Sequence, residues 1–387
     1  MIPELRRDFN RRFTQAKYQQ FLAAINARSG TQVKFRLSET PCFFPKPLIE
    51  RMQQAGAELA HQLVANDSYL TAARKEIPQG FLTPNETNKP LFLQVDFGLI
   101  KDDNGNIAPK LVEIQAFPSL YAFQPVLDQT YKDIYQPERE GHAAIAASAQ
   151  VTKAILGDQS PENVILLEID PLHQKTLPDF HLTERLTGVR TVDIRDIAKQ
   201  GNKLYANGIP VHRIYNRAIV DELIRRNIET AFRFDDDLDV EWAGHPNWFF
   251  LISKFSLPYL KHETVPECWF LSDVDVLPDD PDNYVLKPLY SFAGLGVKVG
   301  PTREDIDAVP RDQRSQYLLQ RRMRFEPVIE TPFGPTQAEI RVMYIWLDKL
   351  EPVSLIIRMG RGKMMGVDHN RDMEWVGASS GFIVGIN

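Results

Sequence analysis

The sequence predicts a mixed α/β fold in which a small parallel unit is combined with antiparallel sheets. Residues 163–193 have the pattern of a buried strand, a helix and a second strand, an order that is typical of parallel α/β units. Residues 91–116 have the pattern of a hairpin, with Asn104-Gly105 in the turn. Two β-rich runs at 338–346 and 352–358, separated by a short turn, indicate a second antiparallel element.

Length and composition limit the class of protein. The chain has 387 residues, 43% of them hydrophobic, which is enough for two or three domains with their own cores. A formal net charge of −6 argues against a general nucleic-acid-binding protein. The two cysteines, Cys42 and Cys268, form neither a zinc motif nor a disulfide framework. No apolar run reaches the roughly 18 residues of a membrane span, and the first residues lack the apolar core of a signal peptide. We therefore expect a cytoplasmic location.

We predict three units along the chain. Residues 1–155 contain an N-terminal helical region and the hairpin, residues 156–244 form the parallel α/β unit, and residues 245–387 form a region of antiparallel sheet. Apolar residues at helical spacing predict helices within 4–28 and at about 47–65, 141–154, 174–186 and 221–232. The sequence does not indicate an oligomeric state.

Oxygen-bearing side chains occur on both strands of the predicted hairpin. Asp96 interrupts an otherwise apolar strand, and Glu113 and Gln115 on the return strand are two residues apart, so they point to the same face. Hard divalent cations prefer such ligands, and Mg²⁺ is usually held by a few carboxylates together with substrate phosphates. The pattern therefore predicts a metal site at Asp96, Glu113 and Gln115. A polar stripe that faces solvent is the alternative.

A lysine precedes a glycine-containing turn between two predicted strands in residues 284–299. Lys287 ends the incoming strand, and Gly294 and Gly296 allow the backbone to come close to a ligand. Backbone amides together with an ammonium group favour phosphate binding. No Walker A motif is present. An ordinary hairpin with a surface lysine is the alternative.

Three further cations are candidates for an anion site. Lys254 lies among apolar residues, where an ammonium group either needs an anionic partner or extends to solvent. Arg341 and Arg358 lie on adjacent predicted strands, and neighbouring guanidinium groups repel one another unless an anion lies between them. This arrangement favours recognition of an oxyanion or phosphate. Salt bridges to Glu339 or Glu351 are the alternative.

The order of these motifs resembles the ATP-grasp fold, and within it the circularly permuted family that contains the synthetase domain of glutathionylspermidine synthase. Residues 94–97 and 111–119 are similar to the family's Arg-Phe-Asp-Phe strand and its Leu-Leu-Glu-x-Asn-x-Asp-x-Pro-Thr segment. The family's Ser-Asn-Lys-Ala, Val-x-Lys-Pro–glycine, Tyr-x-x-Gln-Glu and Ile-Arg segments resemble residues 252–255, 285–296, 317–321 and 357–358. The resemblance spans about residues 90–360, and the parallel unit would be the pre-ATP-grasp domain.

The resemblance implies a role for each candidate residue. Mg²⁺ would be held by Asp96, Glu113 and Gln115. The phosphates of ATP would be contacted by Lys254 and Lys287, under a loop that contains Gly294 and Gly296. The hinge against adenine would consist of Gln320, Arg321, Arg322 and Met323, and Arg358 together with Arg341 would steady the transferred phosphoryl group or the acyl phosphate.

Three positions depart from the family pattern. Gln94 stands where the family has arginine, Gln115 is one methylene longer than the family's asparagine, and Phe117 stands where the family has a second aspartate. The first and third departures weaken the transfer of the substrate chemistry more than the transfer of nucleotide binding.

We expect an ATP-dependent ligase that joins a small-molecule carboxylate to an amine or a thiol through an acyl phosphate. The first alternative is an ATP-grasp phosphotransferase, which would release a stable phosphorylated product. The second is a non-catalytic nucleotide-binding or interaction protein, which Gln94 and Phe117 favour. A plain structural α/β protein is the third, and it requires the order of the motifs to be a coincidence.

Overall fold

The computed structural model describes residues 1–136, 147–289, 296–362, 365, 370 and 372–385, so Gly294 and residues 141–146 of the helix predicted at 141–154 lie outside the described residues. The helices are α1 (Pro3–Arg12), α2 (Gln15–Ser29), α3 (Lys46–Val64), α4 (Asp67–Lys75), α5 (Phe123–Tyr135), α6 (Ala147–Leu156), α7 (Leu177–Thr187), α8 (Val220–Arg225), α9 (Asn247–Leu251) and α10 (Arg303–Asp307). Short 3₁₀ helices are found at Pro161–Asn163, Pro171–His173, Ile194–Asp196, Lys254–Tyr259, Leu271–Asp273, Pro281–Asn283 and Arg311–Gln316.

The strands belong to four sheets. They are β1 (Cys42–Pro45), β2 (Phe92–Lys101), β3 (Ile107–Gln115), β4 (Val164–Glu168), β5 (Arg190–Asp193), β6 (Ile197–Gln200), β7 (Lys203–Ala206), β8 (Ile209–Val211), β9 (Arg213–Asn216), β10 (Glu241–Ala243), β11 (Cys268–Phe270), β12 (Tyr284–Pro288), β13 (Lys298–Val299), β14 (Tyr317–Arg321), β15 (Gln337–Trp346), β16 (Leu350–Gly360) and β17 (Gly377–Val384). The mixture of parallel and antiparallel sheets confirms the predicted mixed α/β class.

The largest sheet has six strands in the order β1-β17-β16-β15-β2-β3 and is antiparallel except for the β1–β17 pair. Helix α3 covers one face, where Met52 and Leu59 lie in the same apolar core as Val95 and Ile340. The helix approaches closely at Gly56, because a Cβ there would overlap the hydroxyl group of the buried Tyr344. Glycine within a helix costs about 1 kcal/mol relative to alanine, so the close packing of α3 on the sheet offsets that cost.

The second sheet is the parallel one that the sequence predicts, with strands in the order β10-β9-β4-β5. Helices α6 and α7 cover one face through Val151, Ile155 and Phe180. The other face packs against the three-stranded sheet β6-β7-β8 and against Phe232 and Phe234. In parallel sheets ligands bind at the carboxyl ends of the strands, and that edge here contains the end of β4 and the residues after β9.

A further sheet is four-stranded and antiparallel, with strands in the order β11-β14-β12-β13. Strands β12 and β13 pair through Val285 and Val299, so the predicted hairpin around the glycine turn is present. One face forms a small core with α10, which contains Leu286, Leu319 and Ile306. The opposite face carries Lys287 and Gln320, which are on β12 and β14 respectively.

One predicted helix is too long. The helix expected from Asp221 to Phe232 ends at Arg225, and Asn227 has a left-handed backbone with φ of 47°. The chain turns there because Phe232 has to enter the core under the parallel sheet.

The predicted domain boundaries at 155 and 244 stay a prediction, although the six-stranded sheet combines strands from the first and third predicted units. Among the helices of the described residues, none is long and apolar enough to cross a membrane.

A buried carboxyl group connects α5 to the six-stranded sheet. Asp128 Oδ1 accepts hydrogen bonds from the Gln124 amide at 2.8 Å and from the Ser380 hydroxyl. Burial raises the pKa of Asp128 to about 7, although both hydrogen bonds lower it. Because the folded pKa exceeds the ordinary value of 3.8, the folded protein binds a proton that the unfolded chain has released between these two values. The protein therefore loses stability as the pH rises through that window.

We predict that Asp128→Asn raises the melting temperature at about pH 8 and changes it little at about pH 4. The amide keeps an acceptor for Gln124 and Ser380 and removes a charge that burial penalises. Thermal melting across this pH range measures the effect, and Asp158→Asn, at an exposed position, serves as the control. A difference between variant and wild type that does not grow with pH would contradict the buried-acid interpretation.

Candidate functional site

The register of the six-stranded sheet brings the polar residues of four strands onto one face. Asp96 lies directly opposite Glu113 on β3 and Arg341 on β15, and Glu339 lies opposite Arg358 on β16. Directly opposite residues in antiparallel strands point to the same side of the sheet. This face is opposite to the one that packs on α3, and the group of residues on it, here called the polar cluster, consists of Gln94, Asp96, Glu113, Gln115, Glu339, Arg341 and Arg358.

Asp96 lies at the centre of the polar cluster and is 1% exposed. Arg341 binds it with two hydrogen bonds, from Nε to Oδ1 at 2.6 Å and from Nη2 to Oδ2 at 2.7 Å. Arg358 also donates to Oδ2. Burial alone would raise the pKa of this carboxyl group, but the two guanidinium groups outweigh it and lower the pKa. Asp96 is therefore a carboxylate that is bound on both oxygens.

Two glutamines complete the surroundings of Arg341. The Gln94 side chain accepts from Nη1 at 2.9 Å and donates to the backbone carbonyl of Ser119 at 2.9 Å. The amide of Gln115, turned so that its oxygen faces the guanidinium group, accepts from Nη2 and Nη1 at 2.7 and 3.2 Å. Arg341 is thus enclosed by oxygens from three side chains.

Arg358 links the polar cluster to a second buried acid. Its Nη2 pairs with Glu339 as well as with Asp96, so the salt bridge to Glu339 that the sequence left as an alternative is present. Burial raises the pKa of Glu339. Burial would lower the pKa of Arg358, but the negative charges of Glu339 and Asp96 outweigh it and raise the pKa of the arginine. The buried Nε of Arg358 has no hydrogen-bond partner among the described residues.

Lys254 and Lys287 approach the polar cluster from two other elements. The N–H of Ala116 donates to the carbonyl of Ile252 at 3.4 Å, which joins the end of β3 to the 3₁₀ helix that begins at Lys254. Lys287 donates to the Gln320 amide oxygen at 2.8 Å. Burial lowers the pKa of both lysines. The charge of Glu113 raises both pKa values, and the charge of Lys254 lowers the pKa of Lys287.

A cleft of about 250 Å³ opens beside these charges. Its polar wall consists of Glu113, Gln115, Asp221, Ser253 and Lys254. The remaining wall is apolar, and it consists of Pro78, Val220, Ile224, Phe249, Phe250, Ile252 and Leu289. An apolar cleft with a few convergent polar groups is the usual form of a small-molecule site.

The sequence reasoning missed Arg217, which follows β9 at the carboxyl edge of the parallel sheet. Arg217 is 3% exposed, and its Nε and Nη1 have no hydrogen-bond partner among the described residues. Its guanidinium carbon lies 5.1 Å from the ring centre of Phe117, whose ring centre in turn lies 5.6 Å from that of Phe249 in the cleft. The signal that could have found it was its position just after an apolar strand of a parallel unit.

The hinge residues divide between the two faces of their sheet. Gln320 lies on the side of Lys287, whereas Arg321 alternates to the other side and donates to the hydroxyl group of Tyr284 at 3.0 Å. Arg322 donates to the carbonyl of Asp282 at 3.3 Å, and Met323 lies just beyond the strand. Contact of these residues with adenine stays a prediction. Gly296 has φ of 73°, a conformation that favours glycine, and Gly294 is outside the described residues.

The predicted Mg²⁺ ligands come together, but the oxygens of two of them, Asp96 and Gln115, are already engaged. Asp96 is bound by two arginines, and Gln115 accepts from Arg341. Among the described residues, no group of three or more histidine, cysteine, aspartate or glutamate side chains is arranged to hold a metal ion. The donor set present therefore does not fit a divalent cation at this position, and no step of a reaction is assigned to one.

Comparison with known proteins assigns the chain to a class by fold. No protein-family model matches the chain, and no curated protein matches it either. Among solved structures the fold is similar to that of a glutathione synthetase-like protein. The structure in question is the apo form of a glutathione synthetase-like effector, GSS30, from Globodera pallida, with a TM-score of 0.63 and 14% sequence identity. The similarity covers 96% of this chain and 98% of that chain. At this identity the comparison shows a shared fold and does not show whether an activity is shared.

We predict that Asp96→Asn destabilises the protein by about 3–5 kcal/mol, because it leaves two partly buried guanidinium groups with one carboxylate fewer. Urea unfolding followed by circular dichroism measures the loss. The control is Asp103→Asn in the exposed hairpin turn, which should change the free energy of unfolding by no more than about 0.5 kcal/mol. A loss below about 1 kcal/mol for Asp96→Asn would show that the polar cluster is solvated and contributes little to folding.

Proposed function

We propose that the chain binds ATP in the cleft beside the polar cluster and acts as an ATP-dependent ligase of the ATP-grasp type. The observation that carries this proposal is that four cationic side chains from three separate elements interact with the acids of the polar cluster, one of which, Glu113, lines the cleft together with Lys254. These cations are Arg341 and Arg358 on the six-stranded sheet, Lys254 on a 3₁₀ helix and Lys287 on the four-stranded sheet. They lie in a protein whose formal net charge is −6, so a local excess of positive charge indicates an anionic ligand.

The lysines are suited to the phosphates of the nucleotide. Lys287 and Gln320 form a hydrogen-bonded pair on the sheet face opposite to the core of Leu286 and Leu319. Burial disfavours the ammonium forms of Lys254 and Lys287, so an incoming phosphate would recover part of the free energy that burial costs. Point charges held in a closed site stabilise transferred phosphoryl groups, and one such donor can contribute about 3 kcal/mol.

The proposed reaction has two steps. An oxygen of the substrate carboxylate attacks the γ-phosphorus of ATP, the bond from that phosphorus to the bridging oxygen breaks, and ADP leaves. An amine nitrogen or a thiol sulfur then attacks the acyl carbon, the bond from carbon to the phosphate oxygen breaks, and the nucleophile loses its proton as phosphate leaves. The protein supplies position and charge, which account for most of the catalysis in phosphoryl transfer.

Arg217 is suited to the carboxylate of a substrate. Two buried N–H groups of Arg217 have no hydrogen-bond partner among the described residues, so the guanidinium group can donate to a further anionic oxygen. Carboxylates bind arginine with paired hydrogen bonds. Arg217 packs on Phe117, which in turn contacts Phe249 of the cleft wall, so we place the substrate carboxylate beside Phe117 at this edge of the cleft.

A second candidate function is nucleotide binding without catalysis. The specific observation that favours it is that Asp96 is bound by Arg341 and Arg358 on both oxygens. Phe117 adds to it, because an aromatic ring that packs on Arg217 and Phe249 occupies the position of a family aspartate. The solved structure with a similar fold is described as an effector. Such a protein would bind ATP and release no ADP with any acceptor.

We predict that ATP raises the melting temperature of the wild type and not that of Lys287→Ala. Ligand at 100 times its dissociation constant adds about 2.7 kcal/mol of stability. Differential scanning fluorimetry with millimolar ATP measures the shift. The matched control is Lys298→Ala, since Lys298 pairs with Leu286 and points to the opposite face of the same sheet. No shift in the wild type, or an undiminished shift in Lys287→Ala, would contradict the nucleotide site.

We predict that Arg217→Met leaves the ATP-induced thermal shift unchanged and raises the KM for the carboxylate substrate by about 10- to 100-fold. A hydrogen bond to a charged group contributes about 1.5–3 kcal/mol, and about 1.4 kcal/mol corresponds to tenfold. An ADP-release screen over small acids, with amines and thiols as acceptors, identifies the substrate for this measurement. If the wild type releases no ADP with any acid tested, the non-catalytic function is favoured. An unchanged KM in the variant would show that Arg217 does not bind the substrate.

A further inference from the structure

The guanidinium group of Arg341 is enclosed in the way that a metal ion would be. Its Nε and Nη2 each donate to one oxygen of Asp96, and Nη1 donates to Gln94. Gln115 accepts from both Nη1 and Nη2. Two of the three oxygen-bearing side chains that the sequence predicts as Mg²⁺ ligands therefore serve one arginine. The third, Glu113, lies directly opposite Asp96 on β3.

A divalent cation and Arg341 compete for the same oxygens. Mg²⁺ requires close to octahedral oxygen ligands at about 2.0–2.1 Å, whereas the carboxylate oxygens of Asp96 are covered by N–H groups at 2.6 and 2.7 Å. Binding the metal at Asp96 would release a guanidinium group that is only 13% exposed. Glu113 alone would then be the one carboxylate ligand that needs no such displacement, and one carboxylate does not make an all-protein metal site.

Charge leads to the same conclusion. Arg341, Arg358, Lys254 and Lys287 surround the three acids Asp96, Glu113 and Glu339. Adding two positive charges beside guanidinium groups that already occupy both oxygens of Asp96 is unfavourable in a partly buried site. A phosphate, by contrast, can accept hydrogen bonds from the cationic side chains.

We propose that Arg341 takes the place of a protein-bound divalent cation in this site, so that a phosphate ligand is bound by fixed side-chain cations, and Asp96 and Gln115 do not serve as metal ligands. The ligand half of this inference rests on the proposed nucleotide function. The metal half stands on the hydrogen bonds of Arg341 and applies to the protein without any nucleotide.

The first experiment tests the metal half by itself. Mn²⁺ is titrated into the wild-type protein without nucleotide, and the electron paramagnetic resonance signal of free Mn²⁺ is followed. We expect the signal to match that of Mn²⁺ in buffer, or any binding to persist in Glu113→Gln. Binding in the wild type that is lost in Glu113→Gln would identify a metal site at the polar cluster and overturn the inference.

The second experiment tests the ligand half. The affinity for a non-hydrolysable ATP analogue is measured by thermal shift in EDTA and in Mg²⁺. We expect less than about a threefold difference in the wild type and at least about a tenfold loss of affinity in EDTA for Arg341→Met, a change of about 1.4 kcal/mol. A tenfold or greater loss in the wild type on removing Mg²⁺, or unchanged affinity in Arg341→Met, would overturn the inference.

The two experiments separate the possible failures. If the analogue stabilises the wild type under neither condition, the proposed nucleotide function fails, and the Mn²⁺ titration still decides whether the site holds a metal. Arg341→Met could fail to fold because it leaves Asp96 with one cation fewer, so circular dichroism and apo melting are recorded first. Arg341→Lys, which keeps the charge but cannot reach all three oxygen-bearing side chains, then replaces it in the same assay.

Discussion

The structure of the site depends on one buried carboxylate, Asp96, and on the two arginines that bind it. Moving charges out of water is costly unless they are paired and hydrogen-bonded. Three strands must therefore keep one register, with Asp96 of β2 beside Arg341 of β15 and Arg358 of β16. A slip of one residue would turn Asp96 toward α3, where Val95 and Phe97 now pack. The ionic contacts thus select the register that also buries the apolar face.

The same register explains why the charged side chains meet although they are far apart in the sequence. The polar cluster lies on the six-stranded sheet. The hydrogen bond between Ala116 and Ile252 holds the end of β3 beside the 3₁₀ helix that begins at Lys254. The four-stranded sheet adds Lys287, whose pKa is affected by both Glu113 and Glu339. Arg217 follows the parallel sheet and packs on Phe117. The cleft itself is lined by the end of β3, by α8 and by Leu289 just after β12, so a ligand there would contact segments that adjoin all three sheets.

Much of the fold could be predicted because local patterns determine it. The hairpin around Asn104-Gly105, the strands on either side of the glycine turn and the parallel unit each carry their own signal in spacing and turn residues. The contacts of the site could not be predicted in the same way. Asp96 and Arg341 are 245 residues apart, and only the strand order of the sheet decides that they are neighbours. Arg217 has no local motif, because its burial comes from packing on Phe117 and Phe180.

Two of the departures from the family pattern, Gln94 and Gln115, act on the same arginine, Arg341. An arginine at position 94 would add a third guanidinium group next to Arg341, whereas Gln94 offers an acceptor at 2.9 Å. The additional methylene of Gln115 extends its amide oxygen to within 2.7 Å of the same guanidinium group. Two neutral amides around an arginine also avoid the repulsion that further cations would bring. Gln94 and Gln115 thus act together in enclosing the guanidinium group of Arg341 beside Asp96.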